Sequence, residues 1–329
     1  MKLKIDNFVL SIIIVVVISY LFPQWGRSDS GVPLDKIASI GVALIFFFYG
    51  LKLSVEKLKT GLKNWKLHVL VQSSTFLLFP LIILSFYPFF SSAEGQTLWL
   101  SFLFLAALPS TVSSSVVMVS MAKGNLPAAI FNASISGLIG IVITPLWMGM
   151  FLEQSATEFQ LGDVYIKLVT EILVPVLLGL FLQRFWGKYA LRYASQLSVF
   201  DKSIILIIIY KSFAHAFDEG IFESVGLFDL TFISIACLLL FFIVLFITGF
   251  LSDWLGFSIE DKITTQFCGT KKSLVHGTVF SKILFPASFP VAMILLPLMI
   301  FHALQILIVS IIATKWAKRN AIVNKDAQK

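Results

Sequence analysis

This sequence is short of charge. Only 13% of its 329 residues are charged and 58% are hydrophobic, against about 25% charged and roughly 45–50% apolar in an ordinary soluble chain. A water-soluble domain of this size needs polar surface, and the deficit excludes one. Cysteine is nearly absent. Cys237 and Cys268 both lie in apolar stretches, so there is no disulfide framework and the redox compartment is not readable from them. The sequence has no HExxH, no Gly-x-Ser-x-Gly and no paired-aspartate metal motif, which argues against an intramembrane enzyme. Neither catalytic residues nor a metal or organic cofactor is expected. The net charge of +7 does not point to nucleic acid, because the basic residues sit in short connectors beside hydrophobic runs, where the positive-inside bias puts them.

What is present is a series of apolar runs. A bilayer core of about 30 Å needs about 20 apolar residues to cross as a helix. On that rule ten spans are expected, near 6–22, 36–53, 66–88, 97–121, 125–151, 164–183, 200–217, 228–252, 260–283 and 290–316. The seventh and ninth carry internal polar groups. The N-terminal run has the basic start of a signal peptide. It ends at Leu21-Phe22-Pro23-Gln24-Trp25 with no small-residue cleavage site, so it reads as the first span. With the N-terminus in the cytoplasm, Lys2, Lys4, Lys52, Lys57, Lys59, Lys63, Lys66, Lys123, Arg184, Lys188, Arg192, Lys202, Lys262 and the tail from Lys315 all fall on that side. Only Arg27, Lys36, Lys167 and Lys282 fall opposite, while Lys211, Lys271 and Lys272 fall within spans. Both termini are therefore expected inside, with an even number of spans.

Five spans precede the connector at 152–163 and five follow it. An odd number per half turns the second half over, the pattern of inverted-repeat transporters. The repeats would be 1–152 and 164–318 of one membrane domain, 1–329. The loops after the second span of each half differ in sign: 52–66 is basic, while 218–229 carries Asp218, Glu219, Glu223 and Asp229. The fourth span of each half is interrupted. In the first, Leu108-Pro109-Ser110-Thr111-Val112-Ser113-Ser114-Ser115 puts a proline and five hydroxyls near mid-membrane. Proline removes a backbone donor, and freed carbonyls need partners such as hydroxyls or an ion; a simple kink packed by Ser and Thr is the alternative. In the second, Cys268-Gly269-Thr270-Lys271-Lys272-Ser273 lies between Lys262 and Lys282. A lysine at the bilayer centre costs about 3 kcal/mol on insertion scales. A broken helix beside a wet cavity resolves this, with the ammonium groups meeting half-helix carbonyls or an anion. The alternative is a basic surface loop splitting the span. Paired breaks at matching positions point to a midplane binding site.

Four stretches carry a family resemblance: Phe46-Phe47-Phe48-Tyr49-Gly50-Leu51-Lys52-Leu53, Asn64-Trp65-Lys66-Leu67-His68, Leu108 to Met118, and Phe267-Cys268-Gly269-Thr270-Lys271-Lys272-Ser273. Together they resemble the bile acid:sodium symporter superfamily, in particular the SBF-like branch that holds solute carrier family ten member seven and its bacterial relatives. The resemblance implies an all-α integral membrane fold of ten transmembrane helices in two inverted five-helix repeats. A panel (spans 1, 2, 6 and 7) would move against a core (spans 3–5 and 8–10) by alternating access, with broken spans four and nine crossing. It also implies counterparts of sodium-site positions at Ser114, Ser115, Asn132 and Ser136, and of a second site at Gln72. In span nine, sodium-coupled members carry Glu-Val-Gly-x-Gln-Asn. Here Phe267 replaces the acid and Lys271-Lys272 replace the amides. Two unit charges about 4 Å apart repel by roughly 4 kcal/mol at an effective dielectric of 20. That argues against sodium coupling, and suggests an ammonium where relatives hold sodium.

The expected site is therefore Gln72, Thr111, Ser113, Ser114, Ser115, Asn132, Ser136, Cys268, Gly269, Thr270, Lys271, Lys272 and Ser273. Glu171, two turns into span six, and His276 are proton-linked candidates; a water-accessible carboxylate and a packing histidine are the plainer readings, and His302 is weighed like His276. The favoured function is a secondary transporter of a small anionic organic solute in a bacterial inner membrane, with the lipid bilayer as its other partner. A cation or proton exchanger on the same fold, and a non-transporting regulator of ion homeostasis, are the rivals.

Overall fold

The computed structural model describes residues 7–26, 30–53, 64–152, 166, 169–218, 220, 222, 226–285 and 289–326. Several residues of the charge-based topology lie outside them, among them Lys57, Lys59, Lys63, Lys167, Glu219 and Glu223. Among the described residues all regular structure is helical. The helices are α1 (Asn7–Leu21), α2 (Leu34–Lys52), α3 (Trp65–Phe89), α4 (Ala93–Ala107), α5 (Ser113–Met121) and α6 (Leu126–Leu152). They continue as α7 (Val169–Arg192), α8 (Ala194–Asp218), α9 (Leu227–Trp254), α10 (Ile259–Gly269), α11 (Leu274–Leu284) and α12 (Val291–Asp326). Six of them, α2, α3, α6, α7, α9 and α12, are long and apolar enough to cross a membrane. At 1.5 Å per residue, the 15 residues of α4 and the 11 of α10 fall short of a bilayer core.

The helix ends have local causes. Ser92 caps α4 by accepting the Gly95 N–H at 3.1 Å, and Ser258 caps α10 by accepting that of Asp261 at 3.2 Å, each satisfying a donor that the first turn leaves free. Helix α4 stops at Ala107 because Leu108 precedes Pro109 and takes extended angles (φ −72°, ψ 150°); the proline ring crowds the helical conformation of the residue before it. In α3 the chain makes one π-turn at Ser74–Leu78, just before Pro80.

The chain divides into two compact units. Unit 1 is Met1–Ser54, Pro145–Thr231 and Val275–Leu296; unit 2 is Val55–Thr144, Phe232–Leu274 and Pro297–Lys329. Within unit 1, α2 packs along α7 and α1 along α8. The α2–α7 crossing is backbone on backbone. A Cβ at Gly179 would lie 2.1 Å from Phe47 O, and one at Gly50 would lie 2.3 Å from Val176 O, so small residues permit the approach. Lys52 pairs with Asp201 at 3.5 Å, and Lys211 with Asp35. Within unit 2, Phe79, Phe104, Phe241, Phe267 and Phe301 fill the interior. Helix α9 buries Ile233, Cys237, Leu240, Phe241, Val244 and Thr248 and exposes Ile235, Leu239, Phe242, Phe246 and Phe250. Such an apolar outer face belongs against lipid.

Candidate functional site at the two helix breaks

Both interruptions contribute to unit 2, and they meet. The first runs from Leu108 to Val112, the second from Thr270 to Ser273. Ser110 Oγ donates to Cys268 O at 2.6 Å, and Ser273 N donates to Pro109 O at 2.9 Å. Ser110 N donates to Ser136 Oγ of α6 at 3.0 Å. On the same helix Gly140 makes room for the proline, since a Cβ there would lie 2.8 Å from Pro109 Cγ.

A helix ending inside a protein leaves its last carbonyls without intrahelical donors, and three carbonyls at this end can be followed. Ala107 O accepts from Thr144 Oγ1 at 2.7 Å. Ala106 O and Leu108 O accept from Lys272 Nζ at 2.6 and 2.9 Å. The third acceptor of that ammonium is Thr75 O, at 2.7 Å. Thr75 O is available because Phe79 N–H, its α-helical donor, bonds Ser74 O in the π-turn, and the next residue, Pro80, has no N–H. An ammonium has three donors, and these three carbonyls account for them. The Phe79 ring lies beneath, its centroid 4.1 Å from Nζ, within cation–π range. Lys272 is fully buried, and its backbone is bracketed by Gln305, which accepts its N–H and donates to its carbonyl, both at 2.8 Å. His302 Nδ1 lies 2.9 Å from Gln305 Nε2.

Lys271 differs. It too is fully buried, but its Nζ donates to Ser114 O at 2.8 Å and lies at 3.5 Å from Ser114 Oγ. One strong bond leaves donor capacity on the ammonium. Beside it Thr111 Oγ1 lies 2.8 Å from Ser114 Oγ and 2.9 Å from Ser115 Oγ. This cluster sits at the first turn of α5, whose leading N–H groups have no acceptor within their own helix.

A third group lies along α3 and α6. Gln72 Nε2 donates to Asn132 Oδ1 at 3.0 Å, and Asn132 Nδ2 lies 2.8 Å from His68 Nδ1 and donates to Ala128 O at 3.0 Å. Gln72 Oε1 is buried with no hydrogen-bond partner among the described residues.

The expected site residues thus lie in several places within unit 2, Lys272 in the carbonyl cradle of Thr75, Ala106 and Leu108. Thr111, Ser114 and Ser115 gather around Lys271. Ser136, Cys268 and Ser273 tie the breaks together, the last two through backbone atoms. Thr270 closes α10, its N and Oγ1 both bonding Gln266 O, at 3.2 and 2.6 Å, with Gly269 beside it. Gln72 and Asn132 form the third group. The Ser113 side chain lies outside the described residues. Glu171 and His276 belong to unit 1. Glu171 is half-buried in the π-turn Val169–Leu173, its Oε2 without a hydrogen-bond partner among the described residues. His276 is buried against Phe46, Tyr49 and Phe280, with ring centroids 5.8, 6.0 and 5.8 Å away. Among the described residues no three His, Cys, Asp or Glu side chains converge to hold a metal ion. Sequence reasoning missed Gln305, His68 and Thr144. Each is a polar side chain within an apolar run, and that signal alone could have flagged them.

The profile of the SBF-like CPA transporter family matches residues 6–318. The chain belongs to that family. A relative from Pseudomonas aeruginosa, itself uncharacterized, is 37% identical, covering 95% of this chain and 93% of its own. YfeH of Escherichia coli, provisionally named a symporter, is 36% identical over 96% and 94%. The sodium/bile acid cotransporter 7-B of Xenopus laevis is 33% identical over 94% and 91%. The SBF-like family is one of membrane transporters and not of enzymes, and the broken helices described above lie inside its matched region.

Proposed function

We propose that this protein is a secondary transporter for a small organic anion, held beside Lys271 where the two broken helices meet. The observation that carries the reading is a buried ammonium with spare donors, next to three hydroxyls and the N-terminal turn of α5. A positive charge and N–H groups that have no acceptor in their own helix, at one place, favour a carboxylate or sulfonate. The name of the Xenopus relative joins bile acid, an amphipathic organic anion, to a cotransporter, which supports that class of solute. Sodium is not carried over with it: on the family resemblance Phe267, a fully buried apolar side chain, stands where sodium-coupled members hold a glutamate.

The architecture we favour is ten transmembrane helices in two inverted repeats, with both termini cytoplasmic and a panel moving against a core. Breaks in the fourth apolar stretch of each half support it, as does the packing of α2 along α7 and of α1 along α8. The Pseudomonas and Escherichia relatives support a bacterial inner membrane.

Detergent-purified protein is titrated with carboxylate and sulfonate amphiphiles, in sodium and in choline buffers. A ligand of the folded state at about 100 times its dissociation constant adds about 2.7 kcal/mol. The melting temperature is expected to rise with an anion in choline, and Lys271→Ala is expected to lose the rise. Strong stabilisation by sodium with no response to anions would count against the proposal.

The buried Oε2 of Glu171, without a hydrogen-bond partner among the described residues, favours a second reading, proton-linked exchange. On that reading Glu171→Gln abolishes the pH dependence of flux while leaving anion stabilisation in place. A pH profile unchanged in the variant removes it.

A further inference from the structure

We infer that the Lys272 ammonium is a tethered cation occupying a monovalent-cation site made of backbone carbonyls, and that shortening this side chain uncovers a site for a free cation. The inference concerns how the crossing is held, and stands whichever solute is carried.

The acceptors come from separate causes. Thr75 O is released by the π-turn and Pro80, while Ala106 O and Leu108 O are the open end of α4. The last two also carry the negative end of the α4 dipole. Rings of carbonyl oxygens are how proteins replace the hydration shell of a monovalent cation, and the Phe79 face adds a fourth attractive side. At 2.6–2.9 Å the oxygens sit at charge-assisted hydrogen-bond distance. The cradle belongs to other segments of the chain, so its oxygens are supplied without the lysine. The stem of the lysine is anchored as well, since Gln305 fixes its backbone on both sides. Relatives that couple to an ion must release it in each cycle. A charge on a covalent stem does not leave, so this position fastens α3, α4 and the second break permanently and cannot serve a coupling ion.

The test is chemical rescue in the full-length, detergent-purified protein. Lys272→Ala strips three buried carbonyls of their donor and is expected to lower the melting temperature by roughly 10 °C. Methylammonium at about 0.1 M is expected to restore about half of the loss by mass action. Tetramethylammonium, which has no N–H, is expected to restore none at equal ionic strength, and the wild type is expected to respond to neither. Recovery by sodium or potassium also supports a cation site. Equal recovery by tetramethylammonium, no recovery by any cation, or a Lys272→Met variant as stable as the wild type overturns the inference. If Lys272→Ala does not purify as a folded protein, it and Lys272→Gln are prepared in methylammonium and in tetramethylammonium. Recovery only in methylammonium supports the tethered cation; recovery in neither, or equally in both, refutes it.

Discussion

Ser136 shows how one hydroxyl supports the site without facing a solute. Its Oγ accepts the N–H of Ser110, and both residues are almost fully buried. Removing the acceptor strands a buried donor, which costs about 1–3 kcal/mol. Ser136→Ala is therefore expected to lose that much stability in detergent unfolding, while Ser136→Thr, which keeps the hydroxyl, loses less. Equal losses in the two variants would mean that packing, not the hydrogen bond, is what matters. The residue scale is also where the sequence was least complete. The adjacent lysines stood out at once, because a charge in an apolar run is visible as a letter. Their separate roles were not visible. What distinguishes Lys272 from Lys271 is a set of backbone carbonyls, and a carbonyl has no letter of its own. Thr75 O becomes an acceptor only because a π-turn meets a proline.

Helix positions were far more legible, since a bilayer demands long apolar runs. The run expected at 66–88 is Trp65–Phe89, and that expected at 228–252 is Leu227–Trp254. Misplaced ends occur where polar residues continue a helix beyond the apolar run. Helix α7 runs past Arg184 to Arg192, and α8 begins at Ala194, six residues before the expected 200. In α7 the extension carries long basic side chains, which are good helix formers, and hydropathy alone does not register them as helix. Proline marked the first break in the sequence; the second was marked only by its charges. The crossing of α2 and α7 was not foreseen, because Gly50 and Gly179 acquire meaning only as a pair. Gly179→Ala drives a methyl against the Phe47 carbonyl, which cannot yield as a side chain can. Overpacking of this kind costs about 1–3 kcal/mol or more, and the variant is expected at or beyond the upper end in thermal unfolding. A melting temperature within a degree or so of wild type, roughly 0.5 kcal/mol for a chain this size, would show that the helices separate easily there.

The whole molecule adds a feature that neither residue nor element holds alone. Helices α6 and α12 each contain one interior proline, Pro145 and Pro297, and two of the five chain boundaries between the units fall at those residues. Proline deletes the intrahelical hydrogen bond that would stiffen this point, so on an alternating-access mechanism both are places to bend. The double variant Pro145→Ala, Pro297→Ala is expected to bind solute with unchanged affinity and to transport it several-fold more slowly. Unchanged flux would remove the prolines from the mechanism. The central claim is transport of an organic anion through the Lys271 site without sodium, and uptake into proteoliposomes tests it most directly. Protein reconstituted in sodium-free buffer is given a labelled bile acid and simple carboxylates and sulfonates. The account predicts uptake of an anion in the absence of sodium, and its loss in Lys271→Ala. Uptake that requires an inward sodium gradient, or that survives unchanged in the variant, would contradict it.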